Sequence, residues 1–305
     1  MAENAKKTYA GFVALVGAPN AGKSTLLNKL MGQKISIVSP KAQTTRIRTL
    51  GILTEDDTQI IFIDTPGLFA PKTRLDRAMV QAAWQSLEDA DAIVLLVDAS
   101  TRKPDESLSI LTDELKRRKK SAILALNKVD AVDPTRLLPL AQKANETGVF
   151  SEVFMISART GSGVEDLHVA LKKRIPESPF YYDEDQICDL PTQILAAEMT
   201  REQLYRQLQQ ELPYAAAVLP ESLEEKEDGS LVIRQTIIVT RATHRPIVLG
   251  KGGARIKSIG EKARADLTRL FERKVHLFLE VKADEKWQDR PAFYRMFGLD
   301  YGKRT

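Results

Sequence analysis

The chain has 305 residues, 28% of them charged, with a net charge of +4 at pH 7, and this length fits two domains better than one. A single cysteine, Cys188, excludes an internal disulfide framework and suits a reducing cytosol. The histidines His168, His244 and His276 are dispersed and make no metal-ligand pattern with it. No apolar run reaches the roughly 18 residues of a membrane-spanning helix, and Met1 to Lys7 lacks the apolar region of a signal peptide. Peripheral contact of basic surfaces with a membrane stays open.

The first apolar run, Phe12 to Val16, reads as a strand, and Thr25 to Met31 reads as a helix. Between them lie Gly17, Ala18, Pro19, Asn20, Ala21, Gly22, Lys23 and Ser24. This Gly-x-x-x-x-Gly-Lys-Ser spacing lets successive backbone N–H groups face a polyphosphate at a helix N-terminus, where Thr25 follows. Lys23 is placed as a point charge for the β- and γ-phosphates, and the Ser24 hydroxyl is placed for Mg²⁺. The polar stretch Lys41 to Arg46 then offers two hydroxyls, Thr44 and Thr45, for the same cation. Thr45 is favoured, with Thr44 the alternative.

Gln59 to Ile63 reads as a second strand and ends on Asp64, Thr65, Pro66 and Gly67. An acidic residue here can hold the Mg²⁺ shell, and Gly67 leaves its N–H free for a γ-phosphate. The next residue is Leu68, whose side chain cannot hydrogen-bond a water. Amphipathic helices are expected over Leu75 to Leu87 and Ser107 to Leu115.

Ala122 to Leu126 reads as a buried parallel strand that delivers Asn127, Lys128 and Asp130. The Asp130 carboxylate can accept from N1–H and the exocyclic amine of guanine, which adenine cannot supply. Ser157, Ala158 and Arg159, after the run Val153 to Ile156, would add backbone contacts to the ring. In this order the five segments resemble the small GTPases of translation-associated type, over about residues 8–176. The resemblance implies a doubly wound, mostly parallel P-loop sheet with ligands at the strand C-termini. Many GTPases carry a water-orienting glutamine at the Leu68 position, so slow intrinsic hydrolysis is expected; in related GTPases with a hydrophobic residue there, an asparagine at the position of Asn20 helps hold K⁺. The catalytic set implied is therefore Lys23, Asn20, Thr45 and Gly67, with Ser24, Thr45 and Asp64 on Mg²⁺ and K⁺ as a second cation.

Prolines 176, 179 and 191 bracket an acidic, tyrosine-containing stretch that reads as a linker over 177–190, after a GTPase domain at 1–176. Residues 191–305 then read as a helix from Gln193 to Leu212 stopped by Pro213, a strand from Tyr214 to Leu219, and an acidic turn from Glu221 to Ser230. A strand from Leu231 to Val239, the glycine loop Gly250-Lys251-Gly252-Gly253 between two helices, and an alternating strand from Lys274 to Lys282 follow. The segment from Leu231 to Ala283 has 12 Lys or Arg against 4 Asp or Glu, which concentrates positive charge where nucleic acid would sit. In the tail, Trp287, Phe293 and Phe297 are expected to pack a terminal helix, in preference to stacking on bases.

This order resembles an α+β type II KH domain, in which a Gly-x-x-Gly loop lets single-stranded RNA approach the backbone closely. The resemblance implies RNA contacts at Gly250, Lys251, Gly252, Gly253, Arg255 and Lys257. A GTPase domain followed by such a KH domain resembles the Era family of bacterial ribosome-assembly GTPases over nearly the whole chain. That family implies a cytoplasmic, monomeric switch driven by GTP and GDP. It would bind the single-stranded 3′ region of 16S rRNA and act in maturation of the 30S ribosomal subunit, with peripheral association at the inner membrane left open. The alternative is a switch whose C-terminal domain docks a protein or membrane partner.

Overall fold

The computed structural model describes residues 7–39, 41, 44–69, 71, 73–210 and 212–301, without the side chains of 105–107. The chain divides into two compact units, Met1–Ser36 with Thr45–Asp189, and Ile37–Thr44 with Leu190–Thr305.

In the first unit, strands β1 (Tyr9–Gly17), β2 (Thr49–Glu55), β3 (Thr58–Asp64), β4 (Ala92–Asp98), β5 (Ala122–Asn127) and β6 (Phe150–Ile156) form one sheet in the order β2-β3-β1-β4-β5-β6. β2 pairs antiparallel with β3, and the remaining neighbours pair in parallel. A parallel sheet must be covered on both faces, and the apolar strands supply side chains to each. On β1, Val13 and Leu15 enter one core with Leu26 and Leu27 of α1 (Lys23–Leu30) and Leu167 and Leu171 of α5 (Val164–Lys172). The alternate residues Ala14 and Val16 enter the other core, with Leu87 of α2 (Arg74–Glu88), Leu111 of α3 (Pro104–Arg117) and Leu140 of α4 (Leu137–Glu146). Side-chain alternation along one strand thus builds the doubly wound architecture.

Helix α2 starts at a capping box. The Thr73 hydroxyl accepts from the Asp76 amide at 3.1 Å and the Asp76 carboxylate accepts from the Thr73 amide at 2.9 Å, which satisfies two of the helix's four orphan donors. Residues 177–189 are held on this unit: Glu177 bridges Tyr9, Cys188 bridges Gly51, and the Leu50 amide donates to Asp189 at 2.9 Å.

The second unit is built on β7 (Ala216–Glu225), β8 (Leu231–Val239) and β9 (Val275–Ala283), with β7 antiparallel and β9 parallel to β8. Its core joins Ile237, Val239 and Val281 of the sheet to Leu204 of α6 (Thr192–Gln207), Val248 of α7 (Arg245–Leu249) and Ile259 of α8 (Ala254–Phe271). Two boundaries differ by several residues from the sequence expectation. Helix α6 ends at Gln207 instead of Leu212, because Leu208 takes extended backbone (φ −90°, ψ 151°) and Gln210 the left-handed region (φ 55°). This departure brings both Leu208 and Leu212 into the core. The acidic residues Glu221 to Glu225, expected in a turn, continue β7 past a bulge between Pro220 and Ser222. One edge of the strand stays solvated, so its charges are tolerated there.

The tail packs inward. Trp287, Phe293, Tyr294 and Phe297 are buried, with Phe293 in edge contacts with Trp287, Tyr294 and Phe297. The Trp287 indole donates to the Thr240 hydroxyl at 3.2 Å.

Candidate functional site

Sheet topology brings the phosphate loop, the Asp64 turn and the Asn127 segment to the C-terminal ends of β1, β3 and β5, where ligands of doubly wound sheets bind. Gly22 caps α1 at φ 103°, and a Cβ there would lie 2.2 Å from the Asn127 amide nitrogen. Only glycine permits that approach. Asn127 uses it, donating to the Ala21 carbonyl at 2.7 Å while its own carbonyl accepts from the Ala158 amide at 2.9 Å. One buried asparagine thus ties the phosphate loop to the Ser157–Arg159 loop.

Lys23 is buried, and its ammonium donates to the carbonyls of Gly17 at 3.2 Å and Ala18 at 3.1 Å. Burial lowers its pKa to about 8, against the opposing pull of the Asp64 carboxylate. Asp64 is fully buried, and desolvation raises its pKa despite Lys23 and three hydroxyls. Its Oδ2 accepts from Ser24 at 2.7 Å, Ser36 at 2.8 Å and Thr45 at 3.5 Å, and the Ser24 and Thr45 hydroxyls lie 2.8 Å apart. Asp64 Oδ1 is buried with no partner among the described residues. An oxygen-only donor set around a carboxylate with a spare oxygen fits a hard divalent cation, and added cation charge would favour the ionised carboxylate. Thr44 is not in this cluster; its hydroxyl donates to the Lys41 carbonyl at 2.7 Å.

Asn20 is exposed in the left-handed region, at φ 64°. The Thr65 hydroxyl donates to the Leu15 carbonyl at 2.9 Å, so its side chain braces the turn, and Pro66 and Gly67 are buried beside it. The Leu68 amide donates to the Gly17 carbonyl at 2.9 Å while its side chain is buried in the core behind the sheet. A side chain so placed offers no hydrogen bond to a nucleophilic water.

At the base-reading end, the Ser157 hydroxyl donates to Asp130 at 2.5 Å and the Arg159 guanidinium also reaches that carboxylate. The Ser157 hydrogen bond, then Arg159, hold the Asp130 carboxyl below its usual range. The Arg159 side chain thus pairs with the carboxylate expected to read guanine, a contact beyond the backbone role expected of its segment. Lys128, at φ 67°, extends to Asp98 at the end of β4.

Three contributors were missed in the sequence. Ser36 on Asp64 is fixed by Asn28 of α1, whose carbonyl accepts from the Ile35 and Ser36 amides at 2.9 Å each. Asp98 holds Lys128. None of the three has a local motif, and each reaches the site only through the fold.

In the second unit, Gly250 (φ 75°), Gly252 (φ 58°) and Gly253 (φ 79°) carry the chain from α7 into α8. A Cβ on Gly250 would lie 2.7 Å from the Arg255 Cβ, whereas one on Gly252 or Gly253 would meet nothing within 4 Å. The loop is therefore open, with Lys251 and Lys257 exposed beside the N-terminus of α8, where unpaired N–H groups favour anions. Arg255 donates to the Ile247 carbonyl at 2.7 Å and so braces α7 against α8.

The segment Ile37–Thr44 belongs with this second unit. Lys41 donates to the carbonyls of Tyr205 and Leu208, the latter at 2.6 Å. The buried Arg201 pairs with Glu198 and donates to the Thr44 carbonyl at 2.5 Å.

A family profile described as "50S ribosome-binding GTPase" matches residues 12–128, and one described as "KH domain" matches residues 211–288. The chain is 52% identical over 300 residues to the GTPase Era of Erythrobacter litoralis, across 97% of this chain and 98% of that one. Among solved structures, an Era crystal structure in complex with MgGDPNP and nucleotides 1506–1542 of 16S ribosomal RNA superposes with a TM-score of 0.89 at 40% identity, covering 97% of this chain and all of that one. A single-substitution variant of Aquifex aeolicus Era, bound to GDP and AlF4⁻, superposes equally well at 39% identity over the same shares. With two-unit architecture, phosphate loop, guanine-reading segment and glycine loop all in place, the chain belongs to the Era family of GTPases.

Proposed function

We propose that the chain is a GTP-driven switch that binds the 3′ region of 16S rRNA through Gly250 to Gly253 and assists maturation of the 30S subunit. The observation that carries this reading is full-length similarity to an Era solved with MgGDPNP and 16S rRNA nucleotides together. GTP would lie along the Gly17–Ser24 loop, with Lys23 neutralising phosphate charge and Asp130 accepting from guanine. Magnesium, held by Ser24, Thr45 and Asp64, would supply the Lewis acid on the β- and γ-phosphates. The Gly67 N–H would meet the γ-phosphate.

Leu68 leaves hydrolysis without a side chain to orient water, so intrinsic turnover is slow. Asn20, exposed on the phosphate loop, would hold K⁺, and the ion would supply transition-state charge stabilisation.

The switch acts through the Thr44–Thr45 peptide bond, one of three points where the chain passes between the units. Thr45 sits in the cluster that would hold magnesium and belongs to the first unit, while the Thr44 carbonyl is held by Arg201 in the second. Ordering of Thr45 by Mg²⁺ and a γ-phosphate is therefore felt at α6. The protein acts as a cytoplasmic monomer, with its basic surfaces free for peripheral contact at the cytoplasmic face of the inner membrane. No helix among the described residues is long and apolar enough to cross a membrane.

The test is salt-titrated binding of the full chain to a single-stranded segment from the 16S 3′ end. Replacement of Lys251 and Gly252 by aspartate should weaken binding at least about a hundredfold and reduce its salt dependence, with GTP turnover kept within about twofold. Unchanged RNA affinity would overturn the reading and favour a protein or membrane partner.

A further inference from the structure

Asp64 Oδ2 gathers three hydroxyls from three separate stretches of chain: Ser24 in the first turn of α1, Ser36, and Thr45. Ser24 and Thr45 are residues that would hold magnesium. Ser36 belongs to no metal-binding motif, yet it is 4% exposed and donates to the carboxylate at 2.8 Å. Simple satisfaction of a buried acid does not account for this pattern. Three hydroxyls crowd Oδ2, while Oδ1, also buried, has no partner among the described residues.

The Ser36 hydroxyl is presented from a braced backbone. Residues 34–38 lie in neither helix nor strand, so no ladder satisfies their peptide groups. One side chain of α1 takes over that task. The Asn28 carbonyl accepts from the Ile35 and Ser36 amides at 2.9 Å each, and the Asn28 amide donates to the Ser36 carbonyl at 2.7 Å. Ile35, 1% exposed, anchors the same stretch in the core that includes Leu26 and Leu27 of α1.

Ser36 is also the last residue of the first unit before the chain passes to Ile37–Thr44, which belongs with the second, and Thr45 is where it returns. Both ends of that excursion therefore meet on one carboxylate oxygen, at 2.8 and 3.5 Å. The ends are not equivalent. The Thr45 hydroxyl lies closer to Ser24, at 2.8 Å, than to Asp64, whereas Ser36 is tied to α1 through Asn28. A cation that recruits Ser24 and Thr45 draws on two of the three hydroxyls and leaves Ser36 to hold the carboxylate. Partners of this outer kind fix the orientation of a metal ligand and raise metal affinity.

We propose that Ser36 is a positioning residue for magnesium and the fixed end of the Ile37–Thr44 excursion. Braced by Asn28, it orients Asp64 with either nucleotide bound, while Thr45 at the other end engages only when a γ-phosphate is present. This role rests on magnesium binding at Asp64, as read above, and adds a residue that acts on the cation only through the carboxylate.

The test measures magnesium affinity on the full chain loaded with fluorescent GDP or a fluorescent nonhydrolysable GTP analogue, from the nucleotide dissociation rate as free Mg²⁺ is varied with EDTA. Ser36→Ala should raise the Mg²⁺ concentration needed for half-maximal retention about tenfold with both nucleotides. Thr45→Ala should raise it about tenfold with the GTP analogue but less than about twofold with GDP. At saturating Mg²⁺, release from Ser36→Ala should return to near the wild-type rate. Ser36→Cys, similar in size but a weaker donor, should shift the same way by at least about threefold and serves if the alanine variant does not fold. Thermal unfolding of the nucleotide complexes checks folding. A wild-type Mg²⁺ dependence in the folded Ser36 variant would overturn the proposal, and so would faster release at every Mg²⁺ concentration, the mark of a merely structural serine. A shift confined to the GTP analogue in Ser36→Ala, or present with GDP in Thr45→Ala, would make the two ends equivalent and overturn it too. If release from the wild type ignores Mg²⁺, the magnesium reading itself falls.

Discussion

Two glycine loops serve this chain in opposite ways. The Gly17–Ser24 loop is a closed cage: Asn127 reaches across to Ala21, the Leu68 amide fastens to Gly17, and Lys23 is 5% exposed. The Gly250–Gly253 loop is an open shelf, with free space where side chains on Gly252 and Gly253 would stand and a side-chain brace from Arg255 to Ile247. A cage suits a small polyanion, because fixed donors cost no reorganisation when charge builds up. A shelf suits a polymer that must enter and leave along its length. The same residue type therefore carries different functions, and what decides between them is how many distant elements brace the loop.

That contrast can be broken from either side. The largest effect is expected from Asn127→Ala, which orphans the Ala21 carbonyl and the Ala158 amide at once. It should cost about 2–4 kcal/mol of unfolding free energy and weaken GTP binding at least tenfold, with RNA affinity in the GDP state unchanged. Urea unfolding and nucleotide titration check both, and a loss of RNA affinity in step with GTP affinity would deny that cage and shelf are separately built. Next, exchange of K⁺ for Na⁺ should slow turnover by about tenfold if Asn20 completes a cation site at the cage. Equal rates in the two salts would remove K⁺ from the account, and RNA binding should ignore the exchange at constant ionic strength. The smallest effect belongs to the shelf: Arg255→Met removes one exposed hydrogen bond, worth about 0.5–1.5 kcal/mol, so RNA binding should weaken by about tenfold at most. A larger loss would mean that Arg255 also contacts the RNA itself.

Much of the cage was legible in the sequence because its parts are local. A strand, a fixed glycine spacing and a helix start are contiguous, and so are Asp64 to Gly67 and Asn127 to Asp130. The residues that position those parts were not legible. Asn28 pins Ser36, and Asp98 holds Lys128, only after strands far apart in sequence pair. Nothing in the Ser157–Arg159 tripeptide says that the Arg159 side chain turns back onto Asp130. The early end of α6 was missed for a related reason. Pro213 is a strong helix stop, but burial of Leu208 and Leu212 in one core ended the helix before the proline was reached. In the second unit, the glycine loop was visible, whereas Gln207 and His244 come to line one cavity only in the folded unit.

The central claim is that the cage governs the shelf through Thr44 and Thr45. It is tested most directly by the dissociation constant for the 16S 3′ segment, measured at one salt concentration with GDP and with a nonhydrolysable GTP analogue, in the wild type and in Arg201→Met. The account predicts a difference of at least about fivefold between the two nucleotides in the wild type. That difference should shrink below about twofold when Arg201 no longer holds the Thr44 carbonyl. Equal affinities with both nucleotides in the wild type would contradict it.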